Sequence, residues 1–278
     1  MKRYPVLSGL RVGCVRYLNS QPLIYGLPGV ELAHPAVLAG RLREGALDAA
    51  LVPVFELLSS PRKYRTVRGI GIASDGPVYS VFVAHTRPLE TLEGVFADPA
   101  SLTSVHLFQL LSRFHLRRPL PLLSRDAGAG TNAGTNAGTG GGTDPGGFGE
   151  LWIGNQAIDF RLAHGEQGRC YWDLGEAWRE WTGLPFVYAV WVLRRELDPS
   201  LAAAAAQELR AVAVEGLGAV PQIVSAQPAA WRQIAGDYLT RHIRFKIGVR
   251  EMAGLGRFAE ELERAGFVEG ERGGCEWV

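Results

Sequence analysis

The stretch "AVLAGRLREGALDAALVP", Ala36 to Pro53, constrains the fold more than any other. Val37, Leu38, Arg41 and Leu42 fall on one face of a helix, and Gly45 suits the left-handed position just past its end. Asp48 follows, then Ala49 to Val52 as a short apolar strand stopped by Pro53. Helix, glycine, tight turn and buried strand make an αβ unit. Such units build parallel sheets with helices on their faces.

The rest of the chain repeats the theme. Leu10 to Val15, Ile70 to Ala73, Val78 to Val83, Gly94 to Ala97 and Phe186 to Val192 read as strands. Asp98-Pro99-Ala100-Ser101-Leu102-Thr103-Ser104 opens a helix running through "VHLFQLLSRF". "LWIGNQAIDF" reads as a strand and then a turn, and "YWDLGEAWREWTG" as a helix whose aromatic residues belong to the core. Three C-terminal helices follow: one from Pro199 to about Gly216 or Gly218, one over 227–241 and one over 249–265. "PRKYR", Pro61 to Arg65, reads as a solvated loop.

This order suits two α/β lobes, with the chain crossing over and back. Residues 1–86 and 190–278 form the first lobe, residues 87–189 the second, with hinges near Val83-Ala84 and Ala189-Val190. Inside the second lobe, "DAGAGTNAGTNAGTGGGTDPGGFG" (residues 126–149) has almost no large apolar side chains and reads as a flexible loop. It lacks the lysine of a phosphate-binding loop. Two-lobed folds of this kind bind small ligands in the cleft between lobes, at the carboxyl ends of strands.

Composition removes several alternatives. The 278 residues carry a formal net charge of +1, which offers no electrostatic case for nucleic acid or an anionic membrane. No apolar run approaches the ~18 residues of a membrane span, and the N-terminus lacks the apolar core of a signal peptide. Cys14, Cys170 and Cys275 cannot all pair, which suggests a reducing, cytoplasmic compartment. The six histidines show no metal-ligand spacing, so no metal is expected.

Short polar segments recur where strands end. They are Asn19-Ser20, Ser74-Asp75-Gly76 with Ser80, Ser101 to Ser104, and Gly154-Asn155-Gln156. As local structure, Asn19-Ser20 is a helix cap with Pro22 in the first turn, and Asp75-Gly76-Pro77 is turn chemistry. Helix starts also expose unpaired N–H groups that hold carboxylates without Arg or Lys. Together the segments describe a cleft for a small, polar, anionic molecule. No nucleophile elbow, Cys-His pairing, Walker loop or dinucleotide fingerprint is present.

The pieces "VGCVRYLNSQPLIYGL", "LREGALDAALVPVFEL", "GIASDGPVYSVFV", "DPASLTSVHLFQLLS", "LWIGNQAI" and "YWDLGEAWREWTGLPFVYAVW" run in order from Val12 to Trp191. In combination they resemble the MqnA-type chorismate dehydratases of the futalosine route to menaquinone. The resemblance implies a two-lobed, type 2 periplasmic-binding-protein-like α/β fold used by a cytoplasmic enzyme. It implies a hydro-lyase that converts chorismate to 3-[(1-carboxyvinyl)oxy]benzoate and water, with no cofactor and a dicarboxylate substrate as its partner. By position, Asn19 would lie near the leaving hydroxyl and Ser80 would contact a substrate carboxylate. Thr103 and Ser104 would hold a second carboxylate. Ser20, Gly76, Pro77, Val78, Asn155 and Gln156 would line the site. The chain departs from the family pattern at Leu102, where arginine is usual, at Asn155, where aspartate is usual, and in its Gly-Thr-Asn repeat. A ligand sensor of the same fold and a 1,4-dihydroxy-6-naphthoate synthase-like enzyme are the alternatives.

Overall fold

The computed structural model describes residues 3–97, 101–124, 147–165, 168–269 and 275–278. Most of the loop expected over 126–149, and Asp98 to Ala100 of the helix start, lie outside them. The chain forms two compact units, Met1–Asp75 with Leu184–Val278, and Gly76–Gly183.

In chain order the first unit opens with β1 (Val12–Val15), a 3-10 turn over Leu18–Leu23, β2 (Glu31–Ala33), α1 (Pro35–Arg43), β3 (Ala49–Pro53), α2 (Val54–Ser59) and β4 (Tyr64–Ser74). The second unit holds β5 (Val81–His85), β6 (Gly94–Ala97), α3 (Leu102–Leu110), β7 (Leu122–Ser124), β8 (Phe148–Ile153), α4 (Gly154–His164), β9 (Cys170–Asp173) and α5 (Leu174–Thr182). The chain then returns through β10 (Phe186–Arg194), α6 (Pro199–Gly218), α7 (Val220–Ser225), α8 (Ala229–Asp237), β11 (Arg244–Lys246), α9 (Val249–Ala265) and β12 (Glu276–Trp277).

The αβ unit expected at Ala36–Pro53 is present. β3 lies parallel to β1, and β1 parallel to β2. Gly45, at φ +71°, ends the helix as its position suggested. The sheet is nevertheless mixed. Its order is β11-β4-β10-β3-β1-β2, and β10 runs antiparallel between β3 and β4. β12 pairs with β4 in parallel.

Several expectations change. "PRKYR" is not a solvated loop, because Tyr64 and Arg65 begin β4. The Tyr64 hydroxyl donates to Glu56 Oε1 (2.7 Å), and Arg65 Nε donates to Glu276 Oε1 (2.8 Å). The segment after "LWIG" is the helix α4 and not a turn. Tyr171-Trp172 belongs to a strand, β9, which precedes α5. The 126–149 loop is shorter than expected at its C-terminal end, since β8 begins at Phe148 and pairs with β6.

The second sheet has the order β7-β6-β8-β5-β9. β5 is paired on both sides, by β8 and β9, so it belongs to the second unit. The units therefore divide at Asp75/Gly76 and Gly183/Leu184, and not at 86/87 and 189/190. The expected hinges at Val83-Ala84 and Ala189-Val190 fall inside strands held on both edges. Gly76 (φ +110°) and Gly183 (φ +71°) stand where the chain passes from one unit to the other. Beneath α4, Phe82, Ala84, Ala157 and Phe160 form a core with Trp152 and Tyr171.

The 3-10 turn after β1 is fixed by packing. Leu18 and Leu23 are fully buried. Gln227 Nε2 donates to Gln21 Oε1 (3.0 Å) and to the Ile223 carbonyl (2.8 Å). Gly216 of α6 lies so close that an added Cβ would stand 1.9 Å from the Pro22 carbonyl oxygen. The obstacle is backbone and cannot rotate away. Gly216→Ala should therefore push α6 off the turn and lower unfolding stability by about 1–3 kcal/mol. Urea unfolding at parental stability would show that the turn yields.

Asp48 anchors the start of β3. It accepts from Arg11 N (2.9 Å), Arg11 Nε (2.9 Å), Arg11 Nη2 (2.7 Å) and Arg194 Nη2 (3.3 Å). The hydrogen bonds from Arg11 hold the Asp48 carboxyl below its usual range, against the opposing effect of burial. A depressed carboxyl stabilises the fold above its unfolded value of about 3.9, and that stabilisation is lost as pH falls through the folded value. Asp48→Asn should lower Tm at neutral pH and flatten its decline below about pH 4. Melting curves across that range test this, and an unaltered acid limb would refute it.

Candidate functional site

Direction of strands gathers the polar segments of each unit. In the first sheet, β1, β3 and β4 point the same way, since β10 opposes both β3 and β4. The turn holding Asn19 and the Ser74-Asp75 segment therefore leave the same end of that sheet. In the second sheet, β6 and β8 are parallel and β5 opposes β8. The residues before β5, those after β8 and those after β6 thus share one end as well. Ser80, Asn155-Gln156 and Thr103-Ser104 are gathered there. Open α/β sheets bind ligands at such ends.

In the first unit, Asn19 sits within the 3-10 turn and is not its cap. Tyr17 holds the N-cap position, with no side-chain cap. Asn19 is 8% exposed. Its Nδ2 donates to the Tyr238 hydroxyl at 2.9 Å. Its Oδ1 is buried with no partner among the described residues. A buried acceptor left open costs about 1–3 kcal/mol, so it calls for an explanation. Ser20 was expected to face substrate, but its hydroxyl is committed to the carbonyls of Val15 and Tyr17, both at 2.7 Å. It braces the turn from inside. Beneath it, Cys14 is buried, and burial pushes its thiol up to about 12, so it is no nucleophile at neutral pH. Asp75, expected as a turn residue, is paired with Arg250 (2.9 Å) and Arg244 (3.1 Å).

In the second unit, Gly76 to Ser80 is a loop held by one carboxylate. Asp173 accepts from the backbone N–H of Val78 (3.0 Å) and Tyr79 (2.7 Å). It also caps α5 through Gly175 N (2.9 Å) and Glu176 N (3.1 Å). Burial pushes the Asp173 carboxyl up, and the N–H donors offset part of that. Tyr79 takes the left-handed backbone conformation, at φ +69°. Non-glycine residues seldom do so, and the cost is accepted mainly where function requires it. The Arg161 guanidinium lies 4.6 Å from the Tyr79 ring and 4.4 Å from that of Tyr171. Ser80 is buried and its carbonyl accepts from Gly154 N at 2.8 Å. That bond ties the loop to the start of α4, where Asn155 is half-buried and Gln156 exposed. Pro77 is exposed, while Val78 is buried and contributes its backbone to the loop.

The start of α3 carries Ser101 at the N-cap, then Thr103 and Ser104, all buried. The Ser101 hydroxyl has no partner among the described residues. His106 stays neutral at pH 7 because burial lowers it, so it adds no cation there. The two sets of residues offer hydroxyls, amides and backbone N–H groups in place of strong bases. Among the described residues no cluster of three His, Cys, Asp or Glu is gathered, and no helix is long and apolar enough to cross a membrane.

Two residues went unnoticed in the sequence. Asp173 begins "DLGE", which has the spacing of a capping motif and was a usable signal. Tyr238 is 219 positions from Asn19 and carried none. Asp173→Ala should leave the Val78 and Tyr79 amides without acceptors and lower stability by about 2 kcal/mol. Hydrogen exchange at those two amides should accelerate. Unchanged protection would show that Asp173 serves α5 alone.

Residues 10–264 match the family described as menaquinone biosynthesis. A curated chorismate dehydratase of Thermus thermophilus is 31% identical over 272 residues, covering 90% of this chain and 94% of that protein. A structural-genomics target from Archaeoglobus fulgidus has a TM-score of 0.65 at 16% identity, covering 93% of this chain and 98% of that one. The periplasmic aliphatic sulphonate binding protein of Escherichia coli has a TM-score of 0.60 at 14% identity, covering 94% and 93%. A Candida albicans protein described as having the generic periplasmic-binding-protein fold has a TM-score of 0.57 at 10% identity, covering 94% and 91%. At these identities the solved structures bear on fold, and the fold is the periplasmic-binding-protein-like α/β arrangement. The sequence match bears on descent, and by it this chain belongs to the menaquinone-biosynthesis family.

Proposed function

We propose that this protein is a chorismate dehydratase, a carbon–oxygen lyase forming 3-[(1-carboxyvinyl)oxy]benzoate and water for menaquinone synthesis by the futalosine route. The observation that carries the reading is 31% identity to a curated enzyme of that name across nine-tenths of the chain. The chemistry of the strand-end residues agrees with it. Chorismate is a dicarboxylate, and helix starts with buried hydroxyls suit carboxylates.

In the reaction the ring loses a proton from C3 and the hydroxyl from C4. The C3–H electron pair becomes part of the aromatic ring as the C4–O bond breaks, and aromatisation drives the step. No Asp, Glu or His among the assigned residues serves as base. The enolpyruvyl carboxylate of the substrate, held in place by Ser80, takes the proton and passes it to the departing hydroxide, which leaves as water. Asn19 orients the C4 hydroxyl and stabilises its departure. Thr103 and Ser104 hold the second carboxylate, with Leu102 in place of the usual arginine. Gly76, Pro77, Val78, Asn155 and Gln156 line the substrate. Ser20 acts indirectly, by shaping the turn that presents Asn19. The location is cytoplasmic.

Incubation with chorismate, followed by absorbance and mass, tests the activity. The aromatic product should appear with the loss of one water. Tight binding without turnover would favour the sensor. Asn19→Ala and Ser80→Ala should each lower kcat by about a hundredfold. Near-parental kcat in either variant would overturn that residue's role.

A further inference from the structure

The Asn19 side chain is held by a single described partner, the Tyr238 hydroxyl, at 2.9 Å. Both residues belong to the first unit. Tyr238 is 1% exposed, and a phenylalanine ring would fill the same apolar space. The Tyr238 hydroxyl is the partner of the Asn19 amide. α8 stops at Asp237 and a π turn spans Tyr238–His242, closed by the bond from Ile243 N to the Tyr238 carbonyl at 3.1 Å. A π turn of this kind closes a helix C-terminus, and here it begins at Tyr238.

An amide fixed through Nδ2 has its Oδ1 set in one direction. Here Oδ1 is the buried acceptor without a partner among the described residues. An acceptor in that state suits an O–H donor supplied by a ligand. A phenol hydroxyl both accepts and donates. It can therefore hold the amide with Nδ2 toward it, leaving Oδ1 to take a substrate O–H. It can equally donate to Oδ1 once the amide has turned over, leaving Nδ2 to donate to an oxygen that is gaining negative charge. A carbonyl acceptor in its place would permit only the first arrangement.

We propose that Tyr238 is the positioning residue for Asn19, holding its amide toward the leaving hydroxyl in both hydrogen-bond senses. This rests on the reading above that Asn19 serves that hydroxyl. It acts through Asn19 and touches no reacting atom, so its effect belongs in kcat and vanishes when Asn19 is absent.

The test compares the parent with Tyr238→Phe, Asn19→Ala and the double variant, using chorismate as the probe and reading kcat, KM and Tm. Tyr238→Phe should lower kcat by about tenfold, because Asn19 loses the bond that orients its amide toward the leaving hydroxyl, with KM within about twofold. Added to Asn19→Ala, it should lower kcat no further. Parental kcat in Tyr238→Phe, with kcat lost in Asn19→Ala, would overturn the role of Tyr238 and leave that of Asn19 standing. An equal loss in both backgrounds would make Tyr238 a general structural residue and overturn the proposal too. Parental kcat in Asn19→Ala would remove both. Should Tyr238→Phe fail to fold, difluorotyrosine at 238 keeps the ring and hydroxyl but changes O–H acidity. It should change kcat by about threefold or more at constant KM and Tm, and unchanged kcat overturns the proposal.

Discussion

Where a strand stops, its backbone groups lose their ladder partners and must find others. This requirement shapes both units. At the end of β1 the Ser20 hydroxyl takes up the Val15 and Tyr17 carbonyls. Before β5 the Asp173 carboxylate takes up the Val78 and Tyr79 amides, and Gly154 takes up the Ser80 carbonyl. Each repair freezes a short loop that would otherwise be mobile. Asn19 and Ser80 thus sit in turns fixed by their neighbours.

The residues proposed for the site are neutral, and this fits a dicarboxylate ligand better than it first suggests. Full charges at a buried site cost several kcal/mol each to desolvate. Hydroxyls and N–H groups cost less, and they discriminate by direction. Within each unit a charged side chain is engaged by its own neighbours. Asp75 is engaged by Arg244 and Arg250, and the Arg161 guanidinium lies over aromatic rings. Leu102 and Asn155, at the starts of α3 and α4, are uncharged as well.

Much of the architecture was legible because local patterns are local causes. The helix, glycine and strand over Ala36–Pro53 are each dictated by their own residues, and β6 and α9 fall at Gly94–Ala97 and Val249–Ala265 as their patterns required. What escaped depends on distant partners. "PRKYR" looks soluble until Glu56, Leu197 and Glu276 arrive to accept its donors. β5 looks like part of the first lobe until β8 and β9 pair with it. Asn19 looks like a cap, and only the chain 219 positions later shows which of its amide atoms is occupied.

The place of β10 has a consequence for synthesis. The second unit is one unbroken segment, so all of its strands leave the ribosome before Phe186. The first unit is different. β3 and β4 are both made early, but the strand that joins them comes only after the whole second unit. Until then the nascent chain holds two apolar strand edges with nothing between them, a state in which wrong partners compete. The second unit can complete its sheet during that interval. The first must wait for the chain to come home.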